Sequence, residues 1–183
     1  NNKGWSKHKQ YSIPDKLRET ANMYWCFGVS REIRFELNCR KHNETAKILT
    51  WDPTPLSQLT VDSANSGGYR IEHTNKAYDK ESGRILKFYA INESKKCYQL
   101  DRPENPHDEI EVETINLKTI AEQHGRDVDV IKLDIEGRWH EMLTEILDLG
   151  LAPKIVLVEC EMYIGDHDAQ FLKLDSIVER YQK

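Results

Sequence analysis

Several familiar signatures are missing from this chain. No apolar run approaches the ~20 residues that a membrane-spanning helix needs, so no membrane span is expected. None of the four cysteines forms a C-x-x-C pair, which argues against a zinc knuckle. No G-x-G-x-x-G motif is present, which argues against a nicotinamide dinucleotide enzyme. An initiator methionine and a signal peptide are also absent, as expected of an excised domain.

An excess of basic charge is absent as well. The formal net charge is −5, with 31% charged and 38% hydrophobic residues. Because clustered Lys and Arg bind nucleic-acid backbones, we expect no nucleic-acid partner. The 183 residues suffice for a single domain, which we place at residues 21–183 after a polar leader over residues 1–20. The oligomeric state and the compartment stay open, with the cytoplasm slightly favoured.

Apolar segments of strand length alternate with segments of helical periodicity along most of the chain. Strands are predicted at Met23–Val29, Ala46–Trp51, Tyr69–Thr74, Ile85–Ile91, Ile110–Thr114, Val128–Leu133 and Lys154–Cys160. Helices are predicted between and after them, including Arg138–Leu149 and Ala169–Tyr181. This alternation favours an α/β fold, in which a mainly parallel sheet carries helices on both faces. Ligands of such sheets bind at the carboxyl ends of the strands.

Two carboxylates follow one of the predicted buried strands. Asp134 and Glu136 come directly after Val128–Leu133 and flank Ile135, so both side chains point to one side of an extended chain. Clustered carboxylates act as general bases, and they also bind hard metal ions. The alternative is that these residues begin a helix, whose N-terminus favours acidic side chains, but this explains only one of the two carboxylates well. We predict a catalytic pair and no metal site.

The segment I-K-L-D-I-E-G, which contains this pair, resembles the FkbM-type methyltransferase family. That family consists of class I enzymes that use S-adenosylmethionine (SAM), typically for O-methylation of sugars or natural products. The resemblance extends from about residue 23 to residue 175. It implies a Rossmann-like fold, a SAM cofactor and a small-molecule or carbohydrate acceptor. The sixth and the antiparallel seventh strand of class I sheets are expected to be missing, since the chain stops at Lys183.

The expected cofactor site lies at the ends of the first three strands. Gly28 lets the backbone approach a ligand closely, and some FkbM-like proteins carry a similar F-G-V segment. Asp52 follows at close to the ~20-residue spacing of a ribose-binding carboxylate, although an Asp before Pro also caps turns. The resemblance assigns Ala77 and Asp79 to the segment that borders the adenine, where simple turn chemistry is the alternative.

Three acidic residues are expected to carry the chemistry. The resemblance places Asp134 by the methyl group of SAM and Glu136 beside it as a base or substrate ligand. Glu159 matches the acid of the family's E-x-H strand end, whereas Glu161 replaces the His. The chain is therefore predicted to be a SAM-dependent O-methyltransferase. The alternative is a non-catalytic SAM-binding or scaffold protein with the same fold.

Overall fold

The computed structural model describes residues 5–8, 11–90, 98–100, 102–135, 137–159 and 167–181. In chain order its strands are β1 (Trp5–His8), β2 (Tyr11–Pro14), β3 (Met23–Phe27), β4 (Lys47–Trp51), β5 (Glu72–Thr74), β6 (Ala77–Tyr78), β7 (Ile85–Ala90), β8 (Tyr98–Gln99), β9 (Glu109–Ile115), β10 (Val130–Leu133) and β11 (Ile155–Val158). Its helices are α1 (Asp15–Thr20), α2 (Arg34–His42), α3 (Pro55–Ser66), α4 (Leu117–His124), α5 (Trp139–Asp148) and α6 (His167–Tyr181). Each predicted strand has a counterpart among them.

A five-stranded sheet in the order β11-β10-β3-β4-β5 forms the centre of the fold. All its neighbours pair in parallel; Val130, for example, lies opposite Tyr24, and Tyr24 lies opposite Ile48. The strand order reverses beside β3, and open α/β sheets bind ligands at such a reversal. This arrangement confirms the predicted Rossmann-like fold. Among the described residues, no sixth or seventh strand joins the sheet.

The side chains of β3 alternate between two apolar cores. Trp25 and Phe27 belong to a cluster with residues of α4, α5 and α6, whereas Tyr24 and Cys26 belong to one with residues of α2 and α3. Successive residues of a strand point to opposite faces, so a strand covered on both faces needs a continuous apolar run. The apolar pattern therefore identified this strand correctly.

Strand β2 packs onto the domain. Strands β1 and β2 pair antiparallel ahead of α1. Tyr11 and Ile13 are buried in the same core as α2, and the Tyr11 ring meets Phe35 edge-on at 5.9 Å between centroids. Residues 11–20, expected within a polar leader, are therefore packed on the domain. The physical reason is the alternation of Tyr11 and Ile13 with Ser12 and Pro14, which gives β2 one apolar face.

A second sheet has the order β6-β9-β7-β8. Strands β7 and β9 pair antiparallel from Ile85 opposite Glu113 to Tyr89 opposite Glu109. The sequence predicted both strands, but within a mainly parallel sheet. The exposed and less exposed residues of β9 alternate over its first six positions, as in antiparallel sheets with one face in water. None of the described helices is long and apolar enough to cross a membrane.

Candidate active site

A cavity of about 290 Å³ opens at the carboxyl ends of the central strands. Five predicted site residues line it, namely Gly28, Asp52, Ala77, Asp134 and Glu159. Four of them directly follow β3, β4, β10 and β11, and the other begins β6. Parallel strands thus gather residues that are far apart in the sequence at one edge of the sheet. The predicted Glu136, and Glu161, lie outside the described residues.

Gly28 lies where the chain leaving β3 touches the chain leaving β10. Its φ of +75° falls in the left-handed region, which side chains other than glycine rarely adopt. A Cβ atom at this position would lie 1.7 Å from the carbonyl oxygen of Asp134. The Gly28 amide donates to the Trp51 carbonyl at 3.0 Å, which ties the turn to β4. Both the φ angle and the close contact therefore require glycine.

The Asp52 carboxylate is buried and holds the turn after β3. Its Oδ2 accepts hydrogen bonds from the amides of Val29 and Ser30, each at 2.8 Å. Its Oδ1 accepts from the amide of Thr54 at 2.8 Å and from the Thr54 hydroxyl at 2.6 Å. A carboxylate offers about four lone-pair sites, so these four bonds occupy all of them. Asp52 thus fixes the backbone of residues 28–30 at the wall of the cavity.

Asp134 and Glu159 supply carboxylates to the other side of the cavity. The Asp134 amide donates to the Phe27 carbonyl at 3.0 Å, and the Glu159 amide donates to the Leu133 carbonyl at 2.8 Å. Both residues thus continue the parallel ladder by one step beyond the strands. The Asp134 side chain is 32% exposed, so its carboxylate is accessible from the cavity. A fixed backbone with an accessible carboxylate suits a general base.

Asp79 is a predicted cofactor residue that does not line the cavity. Its buried carboxylate contacts Nη1 of Arg84 at 2.9 Å and Nη1 of Arg138 at 3.2 Å. Arg138 itself lines the cavity. Asp79 therefore reaches the cavity through a guanidinium that it helps to position, while Ala77 lines the wall directly.

A family comparison fits this geometry. The family model described as "Methyltransferase FkbM domain" matches residues 16–183. The chain belongs to the FkbM methyltransferase family. This confirms the family that the I-K-L-D-I-E-G segment indicated, and the cavity is thus the candidate active site of a methyltransferase domain. No curated protein and no solved structure matches the chain.

The FkbM domain also has cavity residues that the sequence did not single out. The aromatic side chains of Tyr78, Phe88 and Tyr98 line one wall and come from β6, β7 and β8 of the second sheet. The Tyr78 hydroxyl donates to Oε2 of Glu145 at 2.8 Å, and burial, followed by this hydrogen bond, raises the pKa of Tyr78 well above its ordinary value. The sequence signal for these residues was only their aromatic character. Phe88 and Tyr98 reach the cavity through the pairing of β7 with β9 and of β8 with β7, whereas Tyr78 lies on β6, which pairs with β9.

No histidine lines the described part of the cavity in this FkbM domain. His73 lies behind Asp52, where its ring contacts the hydroxyls of Thr50 at 2.8 Å and of Ser57 at 3.1 Å. Burial lowers the pKa of His73, which keeps the ring neutral at pH 7. Within the described ranges, no group of three His, Cys, Asp or Glu side chains could hold a metal ion. The carboxylates are therefore the bases that the described part of the cavity offers.

Proposed function

We propose that this FkbM domain is a SAM-dependent O-methyltransferase that acts on a hydroxyl of a sugar or another small molecule. The observation that carries the proposal is the cavity at the strand-order reversal, where Gly28, Asp134 and Glu159 meet. Family membership supports methyl transfer, and the carboxylates support an oxygen nucleophile, because they accept protons and hydrogen bonds from hydroxyl groups.

The chemistry of the lining residues suits the parts of SAM. The carboxylates of Asp134 and Glu159 suit its positively charged groups, and the aromatic wall that includes Tyr78 suits a planar base. We assign Gly28, Ala77 and Asp134 to the cofactor side of the cavity. When bound, SAM supplies an electrophilic methyl group.

Asp52 was predicted to bind the ribose, and its contacts support a different role. A direct bond to a ribose hydroxyl would require Asp52 to give up one of its four internal hydrogen bonds. We propose that Asp52 acts on the cofactor through the backbone of residues 28–30, which it fixes at the cavity wall. Asp79 acts in a similar indirect way through Arg138.

Asp134 is the proposed general base. Its carboxylate is accessible from the cavity, and its backbone amide is fixed to the Phe27 carbonyl at the end of β3. In this position Asp134 would accept the proton of the acceptor hydroxyl, while bound SAM would supply the methyl group by cleavage of its S–CH₃ bond and leave as S-adenosylhomocysteine. Glu159 binds the acceptor, and Phe88 and Tyr98 supply an apolar wall beside it. Orientation of the acceptor and removal of its proton are the contributions that the protein makes.

An Asp134→Asn variant tests this assignment. We expect methyl transfer to fall by about 10²–10⁴-fold, the usual contribution of a general base. Affinity for S-adenosylhomocysteine (SAH) should change by less than about threefold, because SAH lacks the sulfonium charge that the carboxylate of Asp134 would attract. The measurement is SAH release with an acceptor found by screening sugars and small-molecule alcohols against the wild-type protein. Asp148→Asn is the matched control, because Asp148 pairs with Arg180 on the protein surface and does not line the cavity.

The outcomes separate three cases. Full turnover by Asp134→Asn would remove Asp134 from the mechanism. Loss of SAH affinity together with turnover would make cofactor binding, and not proton removal, the main role of Asp134. SAH binding by the wild-type protein without turnover on any acceptor in the screen would favour the non-catalytic alternative.

A further inference from the structure

A buried ammonium group lies directly beneath the candidate active site. Lys132, in the middle of β10, is only 1% exposed. Its Nζ donates to the Gly28 carbonyl at 2.9 Å and to Oε1 of Glu36 at 3.0 Å. Oδ2 of Asp134 lies 3.8 Å from the same nitrogen. One side chain thus contacts the turn after β3, the carboxylate proposed as the base, and helix α2.

Stability does not explain this ion pair. Taking both charges of Lys132 and Glu36 out of water is expensive, and well-packed apolar residues in place of such a pair are often equally or more stabilising. Apolar side chains occupy the neighbouring positions Val130, Ile131 and Leu133 of the same strand. Oε2 of Glu36 is buried and has no hydrogen-bond partner among the described residues, so the pair is also incompletely satisfied. A role at the site accounts for the pair better than a role in the core does.

The ammonium keeps its charge in this position. Burial alone lowers the pKa of Lys132, but the negative charges of Glu36 and Asp134 outweigh it, and the pKa is raised above its ordinary value. The group therefore acts as a permanent cation under the turn. In a medium of low dielectric, the attraction of such a cation for a carbonyl and a carboxylate is stronger than in water.

The N-terminal hairpin covers this cation. The Tyr11 ring lies 5.3 Å from Nζ of Lys132. The Tyr11 hydroxyl is buried without a hydrogen-bond partner of normal geometry in the described part of the chain. Burial, followed by the charge of Asp134, raises the pKa of Tyr11, so the hydroxyl keeps its proton. Tyr11 precedes the segment that the family model matches, residues 16–183.

We infer that Lys132 is a positioning residue, which holds the Gly28 carbonyl, and with it the turn beside the cofactor, and the Asp134 carboxylate in the arrangement that methyl transfer requires. Glu36 holds Lys132 in turn. This inference rests on the proposed function, because it takes the cavity to be the SAM site. Its experiment therefore uses SAH binding, which does not depend on the unidentified acceptor.

Two matched double variants distinguish charge from packing. The first, Glu36→Leu with Lys132→Met, removes both charges and keeps the side-chain volumes similar. The second, Glu36→Asp with Lys132→Arg, keeps both charges, shortens the acidic side chain and lengthens the basic one. Calorimetric titration with SAH should show at least a roughly tenfold loss of affinity for the uncharged pair. The charged pair should bind within about fivefold of the wild type, and both should unfold cooperatively.

A measurement on the wild-type protein decides the matter if a double variant does not fold. The ¹⁵Nζ resonance of the Lys132 ammonium should be observable, because burial slows its exchange with water. It should shift during a titration with SAH and follow the same saturation curve as the calorimetry. A resonance that stays unchanged at saturation would overturn the inference.

The failures are distinguishable. Wild-type affinity in the uncharged pair would overturn the role of Lys132 and leave the proposed function standing. Equal losses in the two double variants would also overturn it, because charge would then not matter. Absence of SAH binding by the folded wild-type protein would remove the proposed function and this inference together.

Discussion

At the scale of single residues, Gly28 carries the strictest geometric demand in the site. It combines a φ of +75° with a contact in which a Cβ would lie 1.7 Å from the Asp134 carbonyl oxygen. Backbone atoms on both sides cannot rotate away as a side chain would. The position therefore couples the turn after β3 to the strand end that carries the proposed base.

A Gly28→Ala variant should lose SAH binding and at least ~3 kcal/mol of unfolding free energy, because the two strand ends must separate. Gly68→Ala is the matched control. Gly68 has a φ of +90°, and a Cβ atom added there would meet no other atom within 4 Å, so this change should cost only the backbone strain of about 1–2 kcal/mol. Urea unfolding and SAH titration of both variants measure the difference. Equal losses in the two variants would show that the close contact with Asp134 is unimportant.

Other residues show what could be predicted at this scale. Asp52 and Asp134 could be placed at the cavity from the sequence, because each directly follows a strand of the parallel sheet. The hydrogen bonds that Asp52 accepts from Thr54 fit the turn-capping alternative. Those from Val29 and Ser30 could not be foreseen, since these amides lie 23 and 22 residues away. Lys132 is a similar case: a lysine within an apolar run usually faces water, and its burial depends on Glu36, which is 96 residues away.

At the scale of elements, carboxylates clamp strand β3 at both ends. At the carboxyl end of β3, Asp52 accepts hydrogen bonds from the amides of Val29 and Ser30. At the amino end of β3, Oδ2 of Asp129 accepts hydrogen bonds from the amides of Asn22 at 2.6 Å and of Met23 at 3.2 Å. Only the first clamp lies at the cavity. At each end of β3 a carboxylate thus accepts two backbone amides, but only the carboxylate of Asp52 lies at the proposed cofactor site.

Asp52→Ala and Asp129→Ala form a matched pair of variants. Each should lose about 2 kcal/mol or more of unfolding free energy, because Asp52→Ala leaves three backbone amides and Asp129→Ala leaves two without a charged acceptor. Only Asp52→Ala should weaken SAH binding, by roughly tenfold or more. Chemical denaturation and calorimetry measure the two effects separately. Unchanged SAH affinity in Asp52→Ala would remove Asp52 from the cofactor site.

The strands that were easiest to predict are those covered on both faces. β3 is a continuous apolar run for that reason, and β10 is an apolar run that only Lys132 interrupts. The sequence located both strands to within two residues. The second sheet was harder, because β7 and β9 carry charged residues on an exposed face and pair across the loop between them. Phe88 and Tyr98 reach the cavity only through that pairing, so nothing local in the sequence marks them as site residues.

At the scale of the whole molecule, three parts surround the candidate site. The central sheet supplies the turn at Gly28 and the carboxylates at its edge, and the second sheet supplies the aromatic wall. The N-terminal hairpin places Tyr11 in the core that contains α2, where the Tyr11 ring covers Lys132. The central sheet follows from the alternation of strands and helices in the sequence. The placement of the other two parts depends on tertiary contacts between residues that are distant in the chain.

The measurement that tests the account most directly is calorimetric titration of the purified protein with SAM and with SAH, and with NAD as a control ligand. Cooperative unfolding of the same sample establishes that the protein is folded. We predict dissociation constants in the micromolar range for SAM and SAH and no binding of NAD. A folded protein that binds neither SAM nor SAH would contradict the proposal that the cavity beside Gly28 is the cofactor site of a methyltransferase.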